Sequence, residues 1–250
     1  EQGVNISFDT YGQIIMKKGN FSSGNAGTDV GGEPTMSYLN GQTDKKWYGL
    51  VFDSCNVDMN YTKITDVRPY EIKDTSNHID SLNYGYALYS LNSNSVKVKN
   101  CSFNSDTTAC IKIVYWTGTV SSPTIVIEND SLKVNTNIYR PVDIFSNSTV
   151  SGTFSIKSND IRNNYTSGGG LGIFIYGIND ALFYNNYIRS FKWGIYSIHS
   201  SLDLWANVIV TGAYAGYGYN LYGENSTVFD LSSNVGGFNT ISMFSGECIK

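Results

Sequence analysis

Along most of the chain, apolar and polar residues alternate with a period of two, in short runs broken by polar turns. The runs VFDSCNV, VKVKNCSF, IVIENDSL, FSIKSNDI, LFYNNYI, LDLWANVI and FDLSSNV share one phrase. Each has alternating apolar positions, a turn residue, then a further aliphatic. The turn position falls at Cys55, Cys101, Asp130, Asn159, Asn186, Asn207 and Asn234, in steps of 46, 29, 29, 27, 21 and 27 residues. A second phrase precedes each of these: YGLVF, YALYS, ACIKI, RPVDI, LGIFI, WGIYS and AGYGYNL. Its markers are Leu50, Leu88, Ile111, Val142, Ile173, Ile195 and Tyr219, and a last copy begins at Ile249. Period-two alternation predicts strands with one buried face. A constant phrase order with variable spacing predicts a repeat whose loops absorb the variation.

One such unit cannot bury its apolar face alone, but stacked units can. The prediction is an all-β coil of parallel strands, about 4.8 Å between successive rungs. Val98, Ile127, Ile156, Phe183, Leu204 and Leu231 then pile into one inward column. The recurrent Asn tolerates left-handed backbone angles at a tight turn. Stacked on its counterpart, its amide donates and accepts along the axis as an Asn ladder. Residues 45–250 form the coil of about seven or more rungs, and residues 1–44 form an irregular N-terminal segment, first rung or cap through Ile14 to Met16.

The repeat resembles the right-handed parallel β-helix, or solenoid, of the pectin-lyase-like superfamily in its broad sense. The opening KKWYGLVFDSCNV, with Trp47, Gly49, Leu50 and Phe52, is similar to the start of β-helix modules in secreted bacterial surface proteins. The resemblance implies a right-handed coil and an extracellular or cell-surface location. It does not select a function, because that fold hosts lyases, hydrolases, epimerases, adhesins and phage spikes.

Composition narrows the partners. The 250 residues carry 15% charged side chains and a net charge of −4. A general nucleic-acid role is not expected of such a chain. No apolar run reaches membrane-spanning length. The chain begins at Glu1 without Met or leader, as a mature or excised piece would. Its last phrase stops mid-rung, so further domains of the same protein or a capping chain are expected beyond it. Sequons at Asn5, Asn20, Asn60, Asn100, Asn129, Asn147, Asn164 and Asn225 matter only in a glycosylating host.

Four cysteines make no disulfide framework, and no zinc pattern occurs. Cys55 and Cys101, both at the turn position, are expected to be either disulfide-bonded or stacked as buried thiols. Cys110 and Cys248 sit several rungs apart and should not bond.

Rung stacking converts the sequence into outward stripes. The first-strand stripe is Tyr89, Lys112, Asp143, Phe174, Tyr196 and Asn220. It holds one carboxylate, whereas glycoside hydrolysis ordinarily needs two facing one bond. The polysaccharide-cleaving relatives implied by the resemblance carry clustered acids in this cleft, and this chain lacks them. Asp143, Lys112, Arg140 and His199 are the residual catalytic candidates; a surface ion pair is the alternative for Lys112 and Asp143. Phe174 and Tyr196 suit either sugar stacking or an aromatic ladder.

The second stripe is Asp53, Lys99, Glu128, Lys157, Tyr184, Trp205 and Ser232, with Asp203 and Asp230 beside it as a possible calcium pair. No other cofactor is expected. The third stripe is Asp58, Asn104, Lys133, Arg162, Arg189 and Val210. Three successive cations are unfavourable alone. They read either as a cradle for anionic polymer or as a solvated face balanced by Asp130 and Asp160. The leading expectation is a non-catalytic module, structural, adhesive or glycan-binding, with polysaccharide or cell-surface glycan as partner. The alternatives are a polysaccharide lyase or hydrolase, and a phage or extracellular filament protein.

Overall fold

The computed structural model describes residues 4–9, 12–24, 36–42, 45–67, 86–105, 109–116, 118–135, 140–164, 169–210, 219–225, 227–231, 240–242 and 247–249. The chain is all-β, with every strand pairing parallel and no helix among the described residues. A parallel pair needs a long return connection, and here that connection is the rest of each repeat.

Two sheets result. A nine-stranded sheet runs Asn5–Phe8, Ser37–Gly41, Thr62–Thr65, Ser102–Ser105, Ser131–Val134, Asp160–Asn163, Tyr187–Arg189, Val208–Val210 and Thr240–Ser242, each strand paired to the next in that order. A thirteen-stranded sheet has two limbs. Tyr86–Leu91, Ala109–Tyr115, Trp193–Ile198, Tyr219–Glu224 and Glu247–Ile249 lie in the first limb, and Ser95–Lys99, Thr124–Glu128, Ser201–Trp205 and Val228–Asp230 in the second. The long strands Ile14–Ser23, Leu50–Asn60, Val142–Lys157 and Leu171–Tyr184 run through both limbs and join them.

The registers explain the phrases. Leu50 pairs with Leu88, Leu88 with Ile111, Ile111 with Val142, Val142 with Ile173, and Ile173 with Ile195. All are fully buried, so the marker residues form one apolar column. Val98, Ile127, Ile156, Phe183 and Leu204 form another, whereas Leu231, expected to continue it, is exposed. Where a glycine precedes the marker, it is required by close approach between repeats. A Cβ on Gly172 would lie 2.5 Å from the Gly194 carbonyl oxygen, and one on Gly49 (φ 80°) would lie 2.4 Å from that of Tyr86. Ile14 to Met16 pair with Leu50 to Phe52, so part of the N-terminal 44 residues joins both sheets. Trp47 is buried there, stacked on Phe8 at 4.1 Å and donating to the Thr65 carbonyl.

Three registers differ from expectation. Cys55 is not level with Cys101; it pairs with Gly19, inside the Leu50–Asn60 strand. Lys63 pairs with Ser102, which brings Thr62 opposite Cys101. VFDSCNV spans the bend between the two limbs at Ser54 (φ 55°), a turn with the same local sequence logic as the later one. Asn60 and Thr65 therefore take the stripe places expected for Asp53 and Asp58. At the other end, Tyr222, not Asn220, is level with Tyr196, and Leu221, not Tyr219, is the buried marker.

Candidate functional site

The turn residues form a hydrogen-bonded ladder. The backbone N–H of Cys101 donates to Asp130 Oδ1 (2.6 Å), that of Asp130 to Asn159 Oδ1 (2.9 Å), that of Asn159 to Asn186 Oδ1 (3.2 Å) and that of Asn186 to Asn207 Oδ1 (3.0 Å). Asn234 lies outside the described residues. Cys55 is displaced from the ladder, as its register requires. The left-handed angle is not on the ladder residue itself but on the one before it: Asn100, Asn129, Ser158, Asn185 and Ala206 have φ of 53°, 57°, 56°, 54° and 54°. That strained residue points the next side chain inward to its neighbour. Cys55, Cys101 and Cys110 are free thiols, so Cys55 and Cys101 are not bonded to each other. Burial pushes the thiols of Cys101 and Cys110 far up, which makes them poor nucleophiles.

The first-limb stripe is largely buried rather than outward-facing to solvent. Tyr89, Lys112, Asp143 and Phe174 are all buried. A second apolar cluster of Tyr86, Tyr89, Leu91, Ala109 and Val114 lies apart from the main core, with Val51, Trp116 and Phe145 packed on it. Lys112 and Asp143 are register partners on adjacent repeats, with Nζ 3.6 Å from Oδ2. Arg140 donates to the same oxygen at 3.1 Å. This is a buried charge group, not the exposed ion pair expected, and burial makes its geometry matter far more. Asp143 Oδ1 has no hydrogen-bond partner. The Arg140 guanidinium lies 4.1 Å from the Phe174 ring centre, and Lys112 Nζ 5.2 Å from that of Tyr86. His199 stands apart from this group, in a left-handed bend with its ring edge-to-face on Tyr176.

Towards the C-terminal repeats the same face opens and becomes aromatic. Phe174, Tyr196 and Tyr222 are level on three successive strands. Their rings meet edge-to-face, at 5.4 Å and 80° and then 5.0 Å and 83°. Trp193 and Tyr219, level with one another on the same face, add to the group, 6.4 and 5.1 Å from Tyr222. Trp193, Tyr196, Tyr219 and Tyr222 are partly exposed. Trp193 Nε1 has no acceptor, and Lys192 Nζ lies 4.8 Å from its ring centre. Partial burial, then a hydrogen bond to Glu224 and its charge, push the Tyr196 hydroxyl up to about 12. Sequence reasoning found Phe174 and Tyr196 but missed Trp193, Tyr219, Tyr222 and Glu224. The signal was the aromatic density of WGIYS and YGYNLYG, obscured by the two-residue register error.

The second limb carries Lys99, Glu128 and Lys157 level with each other, paired at 3.3 and 2.9 Å. Partial burial works to raise the Glu128 carboxyl, but hydrogen bonds and charge from Lys157 and Lys99 outweigh it and hold it below its usual value. Tyr184 and Trp205 follow on the same column, stacked at 4.5 Å and 29°. Asp203 and Asp230 are register partners. No group of three or more His, Cys, Asp or Glu suited to a metal occurs among the described residues.

On the nine-stranded sheet Lys133, Arg162, Arg189 and Val210 are level. Asp160 lies 3.7 Å from both Arg162 Nε and Arg189 Nη2, whereas Asp130 is buried in the ladder. Neither arginine Nε makes a hydrogen bond.

No helix among the described residues is long and apolar enough to cross a membrane. Comparison with known proteins returned no matching family model, no matching curated relative and no matching solved structure.

Proposed function

We propose that the chain is a right-handed parallel β-helix module of pectin-lyase-like type, belonging to a secreted or cell-surface protein, that binds glycan without cleaving it. The observation that carries this reading is the gathering of Trp193, Tyr196, Tyr219 and Tyr222, with Phe174 behind them, on one sheet face. In an edge-to-face pair, one ring face is left unused by the neighbour and is available to the apolar face of a sugar ring. Tyr184 and Trp205, stacked on each other, each turn one face to the other, and we assign this pair to the sheet instead. Polar groups border the aromatic group: Glu224 beside Tyr196, and Lys192 over Trp193. They supply the few directional contacts a sugar site needs. The described acids favour binding over hydrolysis, because Asp143 is buried and committed to two cations.

The test is binding of Trp193→Ala and Tyr222→Ala to immobilised polysaccharides. Each substitution should weaken retention about tenfold, or ~1.4 kcal/mol, with the unfolding midpoint little changed. Tyr184→Ala should bind as the parent does. Equal retention by all three would remove the aromatic face from consideration.

A further inference from the structure

We infer that Asp130 serves in the ladder as a neutral carboxylic acid that imitates an asparagine amide, donating from Oδ2 to the carbonyl of Val98. The three ladder asparagines share one arrangement. Each Nδ2 donates to a carbonyl three residues ahead of the ladder position in the preceding repeat: Asn159 to Ile127 (2.9 Å), Asn186 to Ile156 (2.7 Å) and Asn207 to Phe183 (2.8 Å). Val98 pairs with Ile127 and stands three residues ahead of Cys101, so the same offset from Asp130 leads to the Val98 carbonyl. Oδ1 of Asp130 already does the work of the amide oxygen, accepting from the Cys101 N–H as Asn159 Oδ1 accepts from that of Asp130. Oδ2 takes the place of the amide nitrogen, is buried, and has no hydrogen-bond partner.

An ionised carboxylate only accepts, so it has nothing to offer a carbonyl; a protonated one has a donor where the amides have theirs. The ionisable groups facing Asp130 discourage its charge. Glu128, on its own repeat, is an anion; Cys101, on the preceding turn, and Cys110, on the Ala109–Tyr115 strand, are thiols; Asn159, from the following repeat, is neutral. Burial is the largest influence and raises the carboxyl well above its ordinary value; hydrogen bonds with the backbone of Cys101 and Glu128 oppose it, and the Glu128 charge adds to it.

The ladder is thereby given one pH-sensitive link. For an acid raised by folding, the stabilisation is complete below its unfolded value, about pH 4, and is lost as pH rises through the folded value. The experiment compares the wild-type chain with Asp130→Asn by urea unfolding from about pH 4 to 9. The variant should be close to the wild type at the acid end and increasingly more stable than it as pH rises. A gap that does not change with pH would overturn the inference. A variant that fails to fold would also overturn it, since the site is argued to accept an amide. Independently, the 13Cγ resonance of Asp130 in wild-type protein should hold its neutral-acid position at about pH 6, where free aspartate is ionised; an ionised position there would contradict the inference.

Discussion

Asn186→Ala removes a ladder member that has a ladder asparagine on either side, Asn159 and Asn207. Its side chain is 1% exposed. Nδ2 donates to the Ile156 carbonyl at 2.7 Å and to Asn207 Oδ1 at 2.9 Å. Oδ1 accepts from the Asn159 backbone at 3.2 Å and from Asn159 Nδ2 at 3.0 Å. Two of the partners keep another bond: Asn159 Nδ2 retains Ile127, and Asn207 Oδ1 retains the Asn186 N–H. The Asn159 N–H is left buried without its acceptor. At about 1 kcal/mol per lost bond, with a further penalty for the orphaned N–H, the substitution should cost about 3–5 kcal/mol. Urea unfolding reads this as a lower midpoint at unchanged slope. The neighbouring Asn185→Ala is the control. Asn185 is exposed and left-handed, with one long contact to Ser158 Oγ at 3.4 Å, so only about 1 kcal/mol of backbone preference is at stake. If the two variants lie within about 1 kcal/mol of each other, the ladder is not what holds the turn.

Ala206 is the one alanine in the left-handed series (φ 54°), and Ala206→Gly should raise stability by about 0.5–1 kcal/mol in the same assay; a loss would mean the angle is not strained. Glu128 is held low by its lysines, so its stabilising effect is present above its unfolded value, about pH 4.3, and is lost as pH falls through the folded value. Glu128→Gln should remove that part of the acid sensitivity, by under ~1 kcal/mol because Lys99 and Lys157 are over a third exposed; an unchanged acid profile would dismiss the pairing. Arg162→Ala combined with Arg189→Ala should lower retention on acidic polysaccharide, more so at low salt, and leave neutral polymers unaffected. Unchanged retention would leave the basic column as a solvated face balanced by Asp160.

The parallel strands were legible because period-two alternation and a fixed phrase order survive changes in loop length. Ile127, Ile156, Phe183 and Leu204 were placed from that pattern alone, and they are buried and level. Two kinds of information were not in the pattern. Cys55 and Thr62 both follow a left-handed turn residue, and local sequence does not tell the bend between limbs from the ladder turn. Only the register of the neighbouring repeat separates them. Tyr219 and Leu221 have the same parity, so alternation alone does not tell the two registers apart, and the two-residue slip moves Tyr222 away from Tyr196. The burial of Lys112 and Asp143 was also hidden. Alternation says which side of a sheet a residue takes, not whether a further layer packs on that side.

The measurement that bears most directly on the proposed role is incubation with neutral and acidic polysaccharides, with and without calcium, following both retention of the protein and new chain ends. The account expects retention without new ends, weakened in Trp193→Ala and independent of calcium. New chain ends would contradict it and turn attention to Asp143, Lys112 and Arg140; absence of retention on every polymer would contradict it in favour of a purely structural coil.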